Sequence, residues 1–213
     1  MKSSSFVKLD FYTIKPYFKS IIMLPAIAIL LAATMKNVYF IVTMLAGYSW
    51  MVSIYPFSIA EKFNLDILYA SLPGSRRQIV NGRYMFFVVL YLAAGALSIA
   101  LSYILHMVLG YEFDIAQGAF IVVMIFPLVS LIAGLFYCLM FKFGYLKARF
   151  VNIIPIILIF IGGESMSTLF EENAAILSGV NPAYAMLASV ALGAIFLFIS
   201  MIVSRMIYLK KDF

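Results

Sequence analysis

The chain carries little charge: only 11% of its 213 residues are Asp, Glu, Lys or Arg, whereas 65% are hydrophobic. A soluble domain has about 25% charged residues, and fewer than half of that cannot keep so much apolar surface in water. The composition therefore excludes a soluble enzyme, a nucleic-acid-binding domain and a disordered protein.

Residues with catalytic or metal-binding chemistry are equally scarce. One cysteine, Cys138, and one histidine, His106, exclude a disulfide framework, a Cys/His metal cluster and a Cys–His nucleophile pair. The phosphate-binding pattern Gly-x-x-x-x-Gly-Lys-Ser/Thr is absent. We therefore predict that the chain is not itself an enzyme, does not hydrolyse ATP by that route and holds no cofactor.

The chain has instead six apolar runs, at 17–35, 38–60, 84–109, 115–141, 150–161 and 183–204. A spanning helix needs about 20 mostly apolar residues, and no run alternates as a barrel strand would. The pattern predicts an all-α polytopic membrane protein with six transmembrane helices in one domain, 1–213.

The orientation follows from the placement of Lys and Arg. Fourteen of the fifteen fall at the two termini and in alternate loops, which leaves Lys36 alone on the other side with the acidic loops. Because positive charge is retained on the cytoplasmic side, both termini are predicted to be cytoplasmic. That face suits anionic lipid headgroups or an acidic partner.

Residues 1–16 are predicted to form an amphipathic helix. The apolar residues Val7, Phe11, Ile14 and Phe18 share one face, and lysines flank it. Such a helix lies in the headgroup plane with its apolar face towards the lipid, and Pro16 bends the path to the first span. The alternative is a solvated leader that only obeys the charge rule.

The loop 61–83 is too long for a tight turn and too polar for lipid. After Glu61 it carries an apolar helical face formed by Leu65, Leu68, Tyr69 and Leu72. A Pro-Gly turn follows, and after it come the basic residues Arg76, Arg77 and Arg83. An apolar face outside the membrane is typical of a docking element for another protein. The alternative is an amphipathic hairpin on the membrane, with the arginines as headgroup contacts.

The fifth run is too short to cross. Its 12 residues make about 18 Å of helix, and Gly162 and Gly163 follow. We predict an incomplete span with re-entrant helices over 162–182 that line a translocation path. Glu164 is the carboxylate most able to lie in the hydrocarbon, where it would bind a cationic group or a proton. The alternative is a kinked helix over 150–170 with Glu164 reaching outer water.

The loop sequence Tyr69-Ala-Ser-Leu-Pro-Gly-Ser-Arg-Arg-Gln-Ile-Val-Asn-Gly-Arg-Tyr84, together with the topology, resembles one family. It is similar to the small permeases of ABC-2-type exporters of Gram-positive bacteria, and most of all to those that export phenol-soluble modulins. The resemblance covers the whole chain in topology, whereas its specific motif covers about 16 residues.

The resemblance implies a homodimeric permease in the bacterial cell membrane with a separate ABC ATPase that binds ATP and Mg. The N-terminal helix corresponds to the elbow helix, and the segment after Gly163 to outer re-entrant helices with Gly162, Gly163 and Glu164 on the path. The ATPase-coupling residues would be Glu61, Leu65, Leu68, Tyr69, Leu72, Arg76 and Arg77. The cargo would be amphipathic peptides, similar to phenol-soluble modulins, or other hydrophobic molecules.

Two other functions remain open. The spacing of Ala28 and Ala32 matches the Ala-x-x-x-Ala pattern by which vitamin-uptake subunits dock on their scaffold, although those subunits do not need a long 61–83 loop. The other alternative is a membrane accessory or immunity protein without transport. An ATPase bound to residues 61–80 would favour the exporter.

Overall fold

The computed structural model describes residues 3–63, 65, 76–148 and 181–210, and this part of the chain is helical with short turns and no strand. The all-α prediction is therefore confirmed for the described residues. The helices are α1 (Ser3–Ile14), α2 (Phe18–Met35), α3 (Tyr39–Lys62), α4 (Arg76–Leu109), α5 (Ile115–Phe143), α6 (Tyr145–Ala148) and α7 (Pro182–Leu209), with a 3-10 turn, Lys15–Tyr17, between α1 and α2.

Five described stretches are long and apolar enough to cross a membrane: Ser5–Met35 and the helices α3, α4, α5 and α7. They contain the first four predicted runs and the sixth, so the chain is a multi-pass membrane protein. The fifth run, 150–161, and nearly all of the predicted re-entrant segment lie outside the described residues. Six spans therefore stay a prediction.

The turns use residues suited to them. Lys36 ends α2 in the left-handed region, at φ 52°, and the chain turns back into α3. The side-chain oxygens of Asp114 and Asn181 each accept a hydrogen bond at 3.0 Å from the backbone amide two residues later. These contacts cap the first turns of α5 and α7.

The helices α5 and α7 run parallel to each other. The Ser189 hydroxyl donates to the Val123 carbonyl at 2.7 Å, and the Ser200 hydroxyl donates to the Gly134 carbonyl at 2.7 Å. Residue numbers thus rise together along both helices. Consequently α5 ends at one end of the bundle, whereas α7 begins at the other.

Helix α3 forms the centre of the bundle. In the most apolar 18-residue stretch of α3, 61% of the residues are buried. The corresponding share is 17% in α7 and 11% in Ser5–Met35. The aromatic rings of α3 pack against α5: Trp50 stacks on Phe136 and Phe57 meets Tyr137, each with 5.0 Å between ring centroids. The core therefore lies among α3, α4 and α5, and the first and last spans cover it.

Helix α1 packs one face against the bundle. Phe6, Asp10 and Ile14 are buried on the face that packs against α4 and α3. Of the predicted lipid-facing stripe, Phe11 and Phe18 are exposed by 46% and 57%, whereas Ile14 is turned into the bundle. The bundle provides a second apolar surface besides the lipid, and the helix turns the residues spaced four apart towards it.

Candidate functional site

The described Lys and Arg residues gather at one end of the bundle, which we call the basic end. It contains α1, the end of α3, the start of α4, the end of α5 with α6, and the end of α7. Lys36 lies at the opposite end, the acidic end, with Glu112 and Asp114. The other described basic residues all belong to the basic end: Lys8, Lys15, Lys19, Lys62, Arg76, Arg77, Arg83, Lys142, Lys147, Arg205 and Lys210.

A buried ion pair joins α1 to α4 at the basic end. Arg83 Nη1 lies 3.0 Å from Asp10 Oδ1, and both side chains are only 4% exposed. The guanidinium carbon of Arg83 also lies 4.7 Å from the ring centroid of Phe57, which adds a cation–π contact with α3. Because each buried charge depends on its partner, this pair holds three helices in one arrangement.

This pair is not predicted from the sequence, although Asp10 carries a signal for it. Asp10 is the only acidic residue among the first 60, and it stands four residues from both Phe6 and Ile14. An acidic residue on the same helical face as two apolar residues indicates a buried charge that needs a partner. Arg83, which the sequence assigns to docking or headgroup contact, is that partner.

Glu61 joins the end of α3 to the corner after α5. Its carboxylate accepts hydrogen bonds from the backbone amides of Tyr145 and Leu146, the latter at 3.0 Å, and so caps α6. The carboxylate lies so close to Gly144 that a Cβ there would be 3.0 Å from Oε2, and Gly144 has a φ of 80°. Glycine at this position avoids the close contact, because it has no Cβ, and adopts the positive φ without strain.

The start of α4 is bonded to the end of α7. Arg76 Nη1 donates to the Leu209 carbonyl at 3.3 Å, and one turn further along Arg205 Nε donates to Asn81 Oδ1 at 2.8 Å. The two helices are therefore antiparallel. At the basic end, the last turn of α7 is attached to the first two turns of α4.

The sequence matches the family model described as ABC-2 family transporter protein over residues 5–209. The chain belongs to this family. Its members are membrane permeases of ABC transporters that carry no ATPase of their own and work with an ABC ATPase subunit. Neither a curated protein nor a solved structure matches the chain.

Three of the predicted coupling residues of this ABC-2 permease lie at the basic end, on either side of 64–75. Glu61 and Arg76 contact other helices of the permease, as described above, and Arg77 is exposed. Leu65 is partly buried and packs against the main core. The other predicted site residues lie outside the described residues: Leu68, Tyr69, Leu72, Gly162, Gly163 and Glu164.

A small cavity of about 30 Å³ opens between Glu61 and Arg83. Its walls include Ile79 of α4, Phe141 of α5 and Tyr208 of α7, so four spans of the ABC-2 permease converge on it. Within the described ranges, no group of three His, Cys, Asp or Glu residues could hold a metal ion. Glu61 and Arg83, which border the cavity, each contact another helix.

Ala28 and Ala32 are buried within the ABC-2 permease itself. Both are fully buried, in one cluster with Val38, the residue before α3, and with Ile41 and Leu45 of α3. Their spacing serves the close α2–α3 hairpin, and neither side chain is available to dock on a scaffold. This contact removes the sequence feature on which the vitamin-uptake alternative was based.

Proposed function

We propose that the chain is the transmembrane permease subunit of an ABC exporter in a bacterial cell membrane. The family match over residues 5–209 carries this proposal. The eleven Lys and Arg residues at the basic end support a cytoplasmic position for that end and for both termini, because positive charge is retained inside. A separate ATPase, which binds ATP and Mg, drives alternating access of the permease.

The loop between α3 and α4 is the proposed contact with the ATPase. It starts beside Glu61, which is bonded to α6, and ends at Arg76, which is bonded to α7. A displacement of the loop is therefore passed to the ends of several spans. The proposed coupling residues are Glu61, Leu65, Leu68, Tyr69, Leu72, Arg76 and Arg77.

The parallel course of α5 and α7 supports a sixth crossing. Helix α6 follows α5 at the basic end and α7 begins at the acidic end, so the 32 residues of 149–180 connect opposite ends. The proposed incomplete span, 150–161, and the proposed re-entrant segment, 162–182, which contains Gly162, Gly163 and Glu164, together make this crossing.

The proposed assembly is a homodimer that exports amphipathic peptides, similar to phenol-soluble modulins, or other hydrophobic cargo. The described turn at 110–114 is short, which leaves little outer surface for a folded cargo. The 20 Phe and 13 Met residues provide adaptable apolar walls. Glu164 is the proposed partner for a lysine of the cargo.

A photo-crosslinking amino acid at Leu68 tests the proposed ATPase contact in cells that make the complete transporter. The same amino acid at Met107, which is 64% exposed near the acidic end, is the matched control. We expect an adduct with an ABC ATPase, identified by its Walker motif, from position 68 and none from position 107.

A charge at the same position tests whether the contact is apolar. Leu68→Glu is expected to abolish co-purification of the ATPase, because an unpaired carboxylate in an apolar interface costs several kcal/mol. Leu68→Met should retain it. Normal co-purification of inserted Leu68→Glu permease would refute this docking site.

A further inference from the structure

A large apolar cleft separates the first span from the bundle at the basic end. Its volume is about 260 Å³, and we call it the α2 cleft. One wall is formed by Phe18 and Leu24 of α2, and the opposite wall by Val52 of α3 with Leu90 of α4. The rings of Phe11 and Phe86, whose centroids are 4.9 Å apart, close the cleft towards α1.

The cleft exists because α2 contacts the bundle over only half of its length. The buried residues of α2 are Ala28 and Ala32, near the acidic end. From Phe18 to Ile27 no side chain of this helix is buried. Consequently α2 packs on α3 in one leaflet and stands apart from it in the other.

The depth of the cleft matches one leaflet. Along α4 it extends from Phe86 to Leu97, which is about 16 Å of helix, whereas one leaflet of hydrocarbon is about 15 Å thick. Water is a poor occupant, since the Ser49 hydroxyl in the wall already donates to the Ala46 carbonyl. An acyl chain supplies the missing apolar contacts.

Two exposed lysines adjoin the residues that line the cleft. Lys15 follows Ile14 directly and lies three residues before Phe18, both of which line the cleft. Lys19 is also exposed, one turn further along. Asp10, the acidic residue of α1, is engaged by Arg83 in the interior, so it does not neutralise these lysines.

We propose that the α2 cleft binds one anionic phospholipid of the leaflet at the basic end, with an acyl chain between α2 and α4. The phosphate headgroup lies at Lys15 and Lys19. This site is separate from the proposed ATPase contact, and it does not depend on the transported cargo. Charge attraction selects the headgroup and the apolar walls retain the chain.

Tryptophan fluorescence of the full-length chain in vesicles tests the site. The protein has one tryptophan, Trp50, so Trp50→Phe with Phe18→Trp places a single reporter in the cleft. Quenching by brominated phosphatidylglycerol is compared with quenching by brominated phosphatidylcholine. Because two lysines at a membrane surface attract an anionic headgroup, we expect at least a fivefold preference for phosphatidylglycerol.

Two matched pairs of variants separate the site from general attraction to a basic surface. Lys15→Gln with Lys19→Gln should bring the preference close to one, whereas Lys142→Gln with Lys147→Gln, the same charge change at the same end, should leave it. Ala93→Leu fills the cleft and should remove most of the preference. Ala188→Leu, at an exposed alanine of α7, should not.

Native mass spectrometry of the unmodified chain provides the same lipid comparison with Trp50 retained. The proposal predicts one phosphatidylglycerol kept more strongly than phosphatidylcholine, and it predicts loss of that lipid in Ala93→Leu. An unchanged preference in Ala93→Leu would overturn it in favour of surface attraction. Absence of quenching by either lipid would overturn it in favour of a second copy or a cargo covering the cleft.

Discussion

Asp10 and Arg83 form a buried ion pair in which the charge of each residue is stabilised by the other. Their carboxylate and guanidinium groups are almost completely buried, and Asp10 Oδ2 accepts no hydrogen bond from the described residues. The Asp10 charge therefore depends on Arg83, and the Arg83 guanidinium also contacts the Phe57 ring. Removal of one partner from such a pair costs about 3–5 kcal/mol, because the other charge stays buried without compensation.

We accordingly expect Arg83→Gln to lower the free energy of unfolding by about 3–5 kcal/mol. The double variant with Asp10→Asn should recover more than half of this loss, since no uncompensated charge remains. Denaturation of the purified full-length chain in detergent measures both. Arg77→Gln, at an exposed position of the same helix, is the control and should change stability by about 0.5 kcal/mol or less. Equal effects of Arg83→Gln and Arg77→Gln would contradict the role of the pair.

At the scale of helices, small residues decide how closely α5 and α7 approach. A Cβ at Gly193 would collide with the ring of Phe126, and one at Gly134 would lie 2.9 Å from Ser200. In the same contact two serines donate to backbone carbonyls of α5. In lipid, close packing and such hydrogen bonds hold helices together, because apolar side chains gain little by leaving lipid for protein.

Gly193→Ala should therefore destabilise the permease by about 1–3 kcal/mol, the usual range for overpacking. Gly47→Ala on α3 is the matched control, since a Cβ there meets nothing within 4 Å among the described residues. It should be neutral or slightly stabilising, because alanine favours helix more than glycine does. Thermal unfolding of the two variants checks this, and a larger loss for Gly47→Ala would be the contrary result.

The whole molecule is polarised between a basic and an acidic end. Three described spans, α3, α5 and α7, descend towards the basic end, and α2 and α4 lead away from it. The residues before and after 149–180 consequently lie at opposite ends. This arrangement yields a direct test of the orientation and of the sixth crossing.

In a Cys138→Ala background, we expect Tyr184→Cys to react with a membrane-impermeant maleimide on intact cells. Tyr184 is 71% exposed near the start of α7. Lys147→Cys, at the basic end, should react only after the cells are permeabilised, because we propose that the basic end faces the cytoplasm. Lys36→Cys serves as the positive control for the outer side. Reaction of both Tyr184→Cys and Lys147→Cys in intact cells would exclude a crossing between them.

The sequence by itself determined the class of protein, five of the spans and the division of charge between two ends. Long apolar runs and the loops between them are local properties, and the bilayer accepts only helices for such runs. The family resemblance of the 69–84 loop also agrees with the family match.

Only the tertiary structure decided which faces meet. Asp10 pairs with Arg83, 73 residues away, and Glu61 caps a helix more than 80 residues further along. The burial of Ala28 and Ala32 and the opening of the α2 cleft depend on the tilt of one helix against another. In an apolar sequence the rotation and tilt of a helix are weakly encoded, because lipid and protein offer almost equally apolar surroundings and packing with the neighbouring helices makes the choice.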